Sequence, residues 1–350
     1  MAERRVAVVT GASAGVGRSV ALELARRGFD VGLVARGRAG LAAAAGDVER
    51  LGGRAVQLPA DVSNFGEVQE AARTVESDLG PVDVWINDAM TTIFAPIWEV
   101  DADDFRRALE VTFLGQVWGT KVALSSMVPR DSGTIVNVGS ALAYVGIPLQ
   151  SAYCSSKFAC RGFFESVRAE LAHQKSAVRL SMVHLPGVNT TQFNWCKSVF
   201  DTHPQPVPPV YQPEVAARAI VDVALDGRRS KVLGSWNRLL VVAASLFPGL
   251  ATQYAALGAW ESQLSDTPVP PDRPVNLWQP VDEDQDKGAH GIFDAKADGV
   301  RNPEFVASLP SNARNFGLAA ARAAKDTLTH LPLGRFAKAQ SASGHSALRS

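Results

Sequence analysis

The chain has 350 residues, and its 35 basic side chains balance its 35 acidic ones, so nothing in the charge points to nucleic acid as a partner. That length suits one large α/β domain with an appendage better than two equal domains. Three cysteines, Cys154, Cys160 and Cys196, lack both a disulfide framework and a zinc spacing, which favours a reducing compartment. The N-terminus runs straight into a strand pattern, leaving no room for a signal peptide, so the expected location is cytoplasmic.

Val6 to Thr10 reads as an apolar strand, followed by the turn TGASAGVG and an amphipathic helix ending near Gly28. Gly11, Gly15 and Gly17 fall at G-x-x-x-G-x-G spacing. Small residues there, with Ser13, Ala14 and Val16 between them, let the backbone approach a pyrophosphate resting on the helix N-terminus. VGLVAR, RAVQLP, VDVWI, GTIVNVGS and VRLSMVHL read as further strands. Helices are expected over LAAAAGDVERL, from Asn64 or Phe65, from about Asp103 to Met127, and through Tyr153 to about His173. This alternation predicts an α/β fold, a Rossmann-like doubly wound parallel sheet with helices on both faces. HPQPVPPVYQP must be loop or extended. PEVAARAIVDVALDG reads as a helix opened by Pro213, and RSKVLGS as a seventh strand.

These elements assign residues 1–235 to the core, with a loop over 189–212, and residues 236–350 to an irregular and helical C-terminal extension. The apolar stretch from Trp236 to Trp260 is broken by Pro248-Gly249, and each side is too short to span a bilayer. It is expected as a buried or interfacial helix, with peripheral membrane contact as one use. The proline- and acid-rich run from Asp266 to Gly291 should be irregular. An alanine-rich basic segment over 312–340 could dock on the core, a partner subunit or an anionic surface.

Tyr153 and Lys157 sit four apart in SAYCSSKFACRGF, so they share one helix face. A free phenol has a pKa of about 10, and a nearby positive charge favours phenolate. Ser140 ends the strand just upstream, and its hydroxyl could hold a carbonyl oxygen while the phenol exchanges a proton. At the tip of the second strand an acid would accept from a ribose 2′-hydroxyl, whereas an arginine suits a 2′-phosphate. The chain reads Val34-Ala35-Arg36-Gly37-Arg38 there. NADP(H) is therefore expected, with Arg36 on the phosphate, Ser13 as a second ligand and Arg38 as a weaker candidate.

The glycine turn, Ser140, Tyr153 and Lys157 together resemble the short-chain dehydrogenase/reductase family, from about Arg4 to about Gly234. The resemblance implies an oxidoreductase interconverting an alcohol and a carbonyl, with Tyr153 as general acid/base, Lys157 holding its pKa down and binding ribose, and Ser140 orienting the substrate oxygen. It also implies adenine contacts at Asp61 and Val62, and cofactor contacts at Asn87, Ala89, Pro186, Gly187 and Thr190. Asn87-Asp88-Ala89-Met90 departs from the family's usual Asn-Asn-Ala-Gly. Thr112 stands where the family has an asparagine that anchors a relay water; it could serve a shifted water or bond its own helix backbone. Phe193, Trp195, Phe200 and Tyr211 are candidate walls for a hydrophobic carbonyl or alcohol substrate. The long helix and the Tyr153 helix imply a homodimer or tetramer. Alternatives on the same fold are an epimerase or dehydratase with a retained cofactor, or a non-catalytic NADP-binding module. His184 and Cys154 read as packing residues.

Overall fold

The computed structural model describes residues 4–270 and 272–298, so the basic segment read over 312–340 lies outside the described residues. Seven parallel strands form the central sheet: β1 Arg5–Thr10, β2 Phe29–Ala35, β3 Ala55–Pro59, β4 Val82–Asn87, β5 Thr134–Ser140, β6 Arg179–Leu185 and β7 Ser230–Val232. Their spatial order is β7-β6-β5-β4-β1-β2-β3. Every residue of β2 and β5 is buried, as expected of strands covered on both faces. β1 sits at the reversal of strand order, with Val9 opposite Leu33 of β2 and Ile86 of β4. A crevice therefore opens beyond the C-terminal ends of β1 and β4.

Helices α1 Gly15–Arg26, α2 Arg38–Arg50 and α7 Pro213–Asp226 cover one face, around Leu24, Leu33, Leu41 and Ile220. Helices α3 Phe65–Asp78, α5 Gly115–Met127 and α6 Ser151–His173 cover the other, around Trp85, Met127, Ile135 and Leu180. The Asn64 side chain caps α3, accepting from the amides of Gly66 and Glu67. Gly227 ends α7 at φ +70°, a left-handed cap that glycine adopts without a Cβ penalty. The expected long helix is not uniform. α4 Ala102–Leu109 widens into a π-turn over Glu110–Leu114 before α5 begins.

The proline-rich loop holds more structure than its composition suggests. Thr202–Pro204 pairs antiparallel with Leu264–Pro268, and Val210–Tyr211 lies between Gly187–Val188 and Ala297–Asp298. Pro204 and Pro268 are tolerated because their two-stranded ladder is short and both of its strands are edges. The described part of the extension thus packs back onto the core. α8 Ser235–Leu246 and α9 Pro248–Gly258 follow β7, and α8 leaves Leu239, Val242 and Leu246 exposed. Among the described residues, no helix is long and apolar enough to cross a membrane. Of the run from Asp266 to Gly291 expected to be irregular, Asp266 to Pro268 instead falls in a strand, held by its pairing with Thr202–Pro204, whereas residues 276–291 are irregular and cross the C-terminal edge of the sheet.

A buried polar network lies beneath the crevice. Asn87 Oδ1 accepts from the Trp85 indole at 2.8 Å, and its Nδ2 donates to Asn137 Oδ1 at 2.8 Å and Thr120 Oγ1 at 3.1 Å. Gly119 makes room, since a Cβ there would collide with Asn87 Oδ1. Asn87→Ala strands the indole N–H and should cost about 1–3 kcal/mol in urea denaturation. Dinucleotide affinity should change less than about threefold, because the side chain faces the sheet and not the crevice; a larger loss would return Asn87 to the binding surface.

Candidate active site

The crevice contains a cavity of about 330 Å³. Its outer part is the glycine turn, whose residues Gly11, Ser13, Ala14, Gly15 and Val16 all line it. Gly11 has φ +75°, and a Cβ there would lie 2.9 Å from Ala89 Cα. A Cβ at Gly17 would collide with the Gly11 carbonyl oxygen and lie 2.7 Å from its carbon, so helix and strand meet backbone to backbone. Gly17 therefore packs behind the wall instead of lining it. Thr10 Oγ1 accepts from the amides of Asp88 and Ala89 at 3.1 and 3.2 Å, which ties the tips of β1 and β4 together. α1 has no side-chain cap and no acid in its first turn. This cradle fits a dinucleotide pyrophosphate, which needs close backbone approach and a helix N-terminus.

Asp61, Val62, Ala89, Pro186, Gly187 and Thr190 also line the cavity, but Asn87 does not. The Asp61 carboxylate is held by Arg107 and by Ser63, whose hydroxyl lies 2.8 Å away. Burial alone would raise its pKa, but these hydrogen bonds outweigh it and hold the carboxyl low.

At the inner end, Ser140 closes β5 while Tyr153 and Lys157 project from α6. The Ser140 hydroxyl accepts from the Leu142 amide at 3.1 Å and lines the same cavity as the Tyr153 phenol, whose charged form it favours. Lys157 is 1% exposed; its Nζ lies 5.5 Å from the Tyr153 ring centre and donates to the Val138 carbonyl at 2.8 Å. Burial pushes the phenol pKa well above its usual value, and Ser140 only partly offsets this. This differs from the expectation that Lys157 holds it down. Burial also lowers the Lys157 pKa, while Cys160 and Asp88 act the other way. Asp88 stands nearby, pushed up to about 7 by burial against the Lys157 charge and the Gly17 amide.

Thr112 does not face the cavity. Its hydroxyl donates to the Thr91 carbonyl at 2.8 Å and accepts from the Thr91 amide at 3.0 Å, so it fixes the 90–92 loop against the π-turn. Two side chains stand behind Ser140: His184, read from the sequence as a packing residue and buried as such, and Tyr144, which the sequence did not single out. His184 Nδ1 lies 3.2 Å from the Ser140 carbonyl, and its Nε2 lies 3.3 Å from the Tyr144 hydroxyl. Burial lowers the His184 pKa to about 4, so the ring is neutral and buttresses the end of β5. A lone histidine in a strand pattern carries no signal of this kind.

Phe193 and Trp195 line the substrate end, with Leu142, Val145 and Ile147. Phe200 and Tyr211 do not; Phe200 packs edge-on to Trp260, and Tyr211 lies against Gly234. The extension supplies the rest of this wall through Trp236, Leu240, Ala255 and Ala259. Gln263 also reaches back, accepting from Gln150 at 2.6 Å and donating to the Pro148 carbonyl at 3.0 Å.

At the opposite end the extension meets Arg36. Its guanidinium donates to three successive carbonyls, those of Asn276, Leu277 at 3.3 Å and Trp278 at 2.9 Å. Arg38, by contrast, is exposed and pairs with Glu283 at 3.2 Å. Asp282 lines the cavity beside Ser13 and Gly37. No spacing in the sequence signals this, since Asn276 follows Arg36 by 240 residues.

The raised pKa of Asp88 gives the site a pH signature. The folded chain keeps a proton on Asp88 up to about pH 7, whereas an unfolded aspartate releases it near 4. Stability contributed in this way is complete below about pH 4 and is lost as pH rises through about 7. Asp88→Asn removes that loss. The stability of the variant relative to the native chain should therefore climb from pH 4 to pH 8 in urea titrations. His184 has the opposite dependence but is common to both chains and cancels. A difference independent of pH would contradict this assignment.

A family model described as short chain dehydrogenase matches residues 5–198, more than half of the chain. The chain is 31% identical over 269 residues to the oxidoreductase YxnA of Bacillus subtilis, covering 76% of each protein. It is 30% identical over 235 residues to a 3-dehydrosphinganine reductase of Danio rerio, covering 65% of this chain and 70% of that one. The structure of a short chain dehydrogenase/reductase from Burkholderia phymatum in complex with NAD shares the fold, with a TM-score of 0.63 and 21% identity over 70% of this chain and 96% of that one. With the glycine cradle and the Ser140, Tyr153 and Lys157 cluster in one cavity, the chain belongs to the short-chain dehydrogenase/reductase family and is an NAD(P)-dependent oxidoreductase.

Proposed function

We propose that the chain interconverts an alcohol and a carbonyl, with Ser140 and Tyr153 holding the reacting oxygen. The observation that carries this reading is that Ser140, Tyr153 and buried Lys157 converge at the inner end of one glycine-cradled cavity, with Lys157 one helical turn on from Tyr153. In the reducing direction the carbonyl oxygen accepts from the Ser140 hydroxyl and the Tyr153 phenol. The raised phenol pKa keeps that proton in place until charge develops on the substrate oxygen. The proton then passes from Tyr153 to the nascent alkoxide. Lys157 stabilises the phenolate left behind, its Nζ being fixed by the Val138 carbonyl. The glycine turn over residues 11–16 would hold a nicotinamide dinucleotide, which would supply or accept the hydride when bound. Acid–base assistance of this kind contributes about 10²–10⁴-fold. Thr112 acts by position, through Thr91.

The substrate is a hydrophobic carbonyl or alcohol. Leu142, Val145, Phe193, Trp195 and Leu240 give it an apolar wall, and the relative named for reducing 3-dehydrosphinganine points the same way. The cofactor has two readings. Strand β2 alone, ending in Arg36, favours NADP(H); the extension, which engages Arg36 and brings Asp282 to the cavity, favours NAD(H). We place the protein in the cytoplasm, on its three buried free thiols. Phe158, exposed on α6, leaves that helix a face for a second copy, and the exposed face of α8 is where a peripheral membrane contact would form.

Tyr153→Phe should lower kcat/KM for reduction of an apolar ketone at least about 100-fold. Dinucleotide affinity should shift only a few-fold, since the phenol ring stays. Near-native turnover in the variant would remove Tyr153 as the acid and sink the mechanism.

A further inference from the structure

Residues 276–291 form a strap along the mouth of the dinucleotide cleft, anchored at intervals. Leu277 is 1% exposed and packs with Ile93, Ala108 and Ala152. The Leu277 carbonyl accepts from Arg107 Nε at 3.1 Å as well as from Arg36. The Trp278 indole donates to Asp104 at 2.7 Å. Further on, the strap caps the N-terminus of α2, which has no side-chain cap of its own. The amides of Ala39 and Gly40 donate to the carbonyls of Glu283 and Asp282 at 3.0 and 3.1 Å, and the Arg38 amide donates to the Glu283 carboxylate at 3.1 Å. Asp286 pairs with Arg18, and the Gly288 carbonyl accepts from the Gly15 amide at 3.3 Å.

The groups occupied at Arg36 and at α2 are those that would hold a 2′-phosphate: the arginine at the tip of β2 and the amides of the helix N-terminus that follows it. In their midst stands Asp282, 6% exposed. A Cβ at Gly37 or at Gly40 would collide with its carboxylate, so both glycines are needed to admit it. Its Oδ2 is buried and has no hydrogen-bond partner, yet the residue lines the cleft. A buried carboxylate oxygen without a donor is costly. Ribose hydroxyls are donors and would satisfy it, whereas a phosphate brings only negative charge and acceptors.

We infer that the C-terminal strap completes the nucleotide site, that Asp282 accepts from the adenosine ribose hydroxyls, and that the chain thereby selects NAD(H) over NADP(H). Arg36 is the strap's anchor and not a phosphate ligand. The acid that selects a 2′-hydroxyl is supplied by the extension in place of the tip of β2. This rests on the dinucleotide reading above.

The test is the dissociation constants of NADH and NADPH, from nucleotide fluorescence, for the full-length native chain, Asp282→Asn and Asp282→Ala, with melting curves to confirm folding. The native chain should bind NADH at least roughly tenfold more tightly than NADPH, as expected for hydrogen bonds to a charged acceptor. Asp282→Asn, which keeps the size and removes the charge, should narrow that ratio roughly tenfold, mostly through tighter NADPH binding. A native preference for NADPH, or a ratio that neither folded variant moves, overturns the inference. Failure of the native chain to bind either nucleotide would instead overturn the oxidoreductase reading, and this inference with it.

Discussion

Backbone meets backbone where α1 leaves β1, and the rest of the site depends on that contact. Gly17 lies against the Gly11 carbonyl, and Gly11 lies against Ala89 at the tip of β4. No side chain fits between them, so the first turn of α1 is held at the point where the sheet reverses its strand order. The reversal opens the crevice and the glycines set its depth. The tips of β4, β5 and β6 then deliver Asp88, Ser140 and Pro186 to one cavity, and α6 brings Tyr153 and Lys157.

The inner end of that cavity is buried and tightly supported. Burial keeps the phenol protonated, Lys157 is anchored on a backbone carbonyl, and neutral His184 props the end of β5. Low effective dielectric makes the ammonium more effective toward a developing phenolate than it would be in water. The outer end is different in kind. It is closed by polar contacts from the extension, so one chain supplies both a core cleft and its cover. Arg36 shows the consequence: a residue type suited to a phosphate is occupied by three carbonyls of the same chain.

Much of this was legible in the sequence because it is local. Strand runs of Val, Ile and Leu, the glycine spacing and the four-residue step from Tyr153 to Lys157 each need only neighbouring positions. The sheet, α1 and α6 lie within a few residues of expectation. The failures are long-range. Asn87 was read by its place after β4, but its side chain turns beneath the sheet to Trp85, Thr120 and Asn137. Thr112 was read by analogy with an asparagine, yet its hydroxyl engages a loop on another element. Phe200 and Tyr211 shared the apolar character of Phe193 and Trp195, and composition could not tell which of the four face the cavity. The strap was read as irregular, correctly, but irregular segments bind through backbone carbonyls, and those leave no mark in a sequence.

The central claim is that the dinucleotide cleft is built from both the family core and the strap. Hydrogen–deuterium exchange on the full-length chain, with and without saturating NADH, tests it most directly. Amides of residues 276–291 should gain protection together with those of the glycine turn over 11–17, because the same ligand would hold both. Protection of the glycine turn with an unchanged or deprotected strap would contradict the account and return the extension to the role of a bystander.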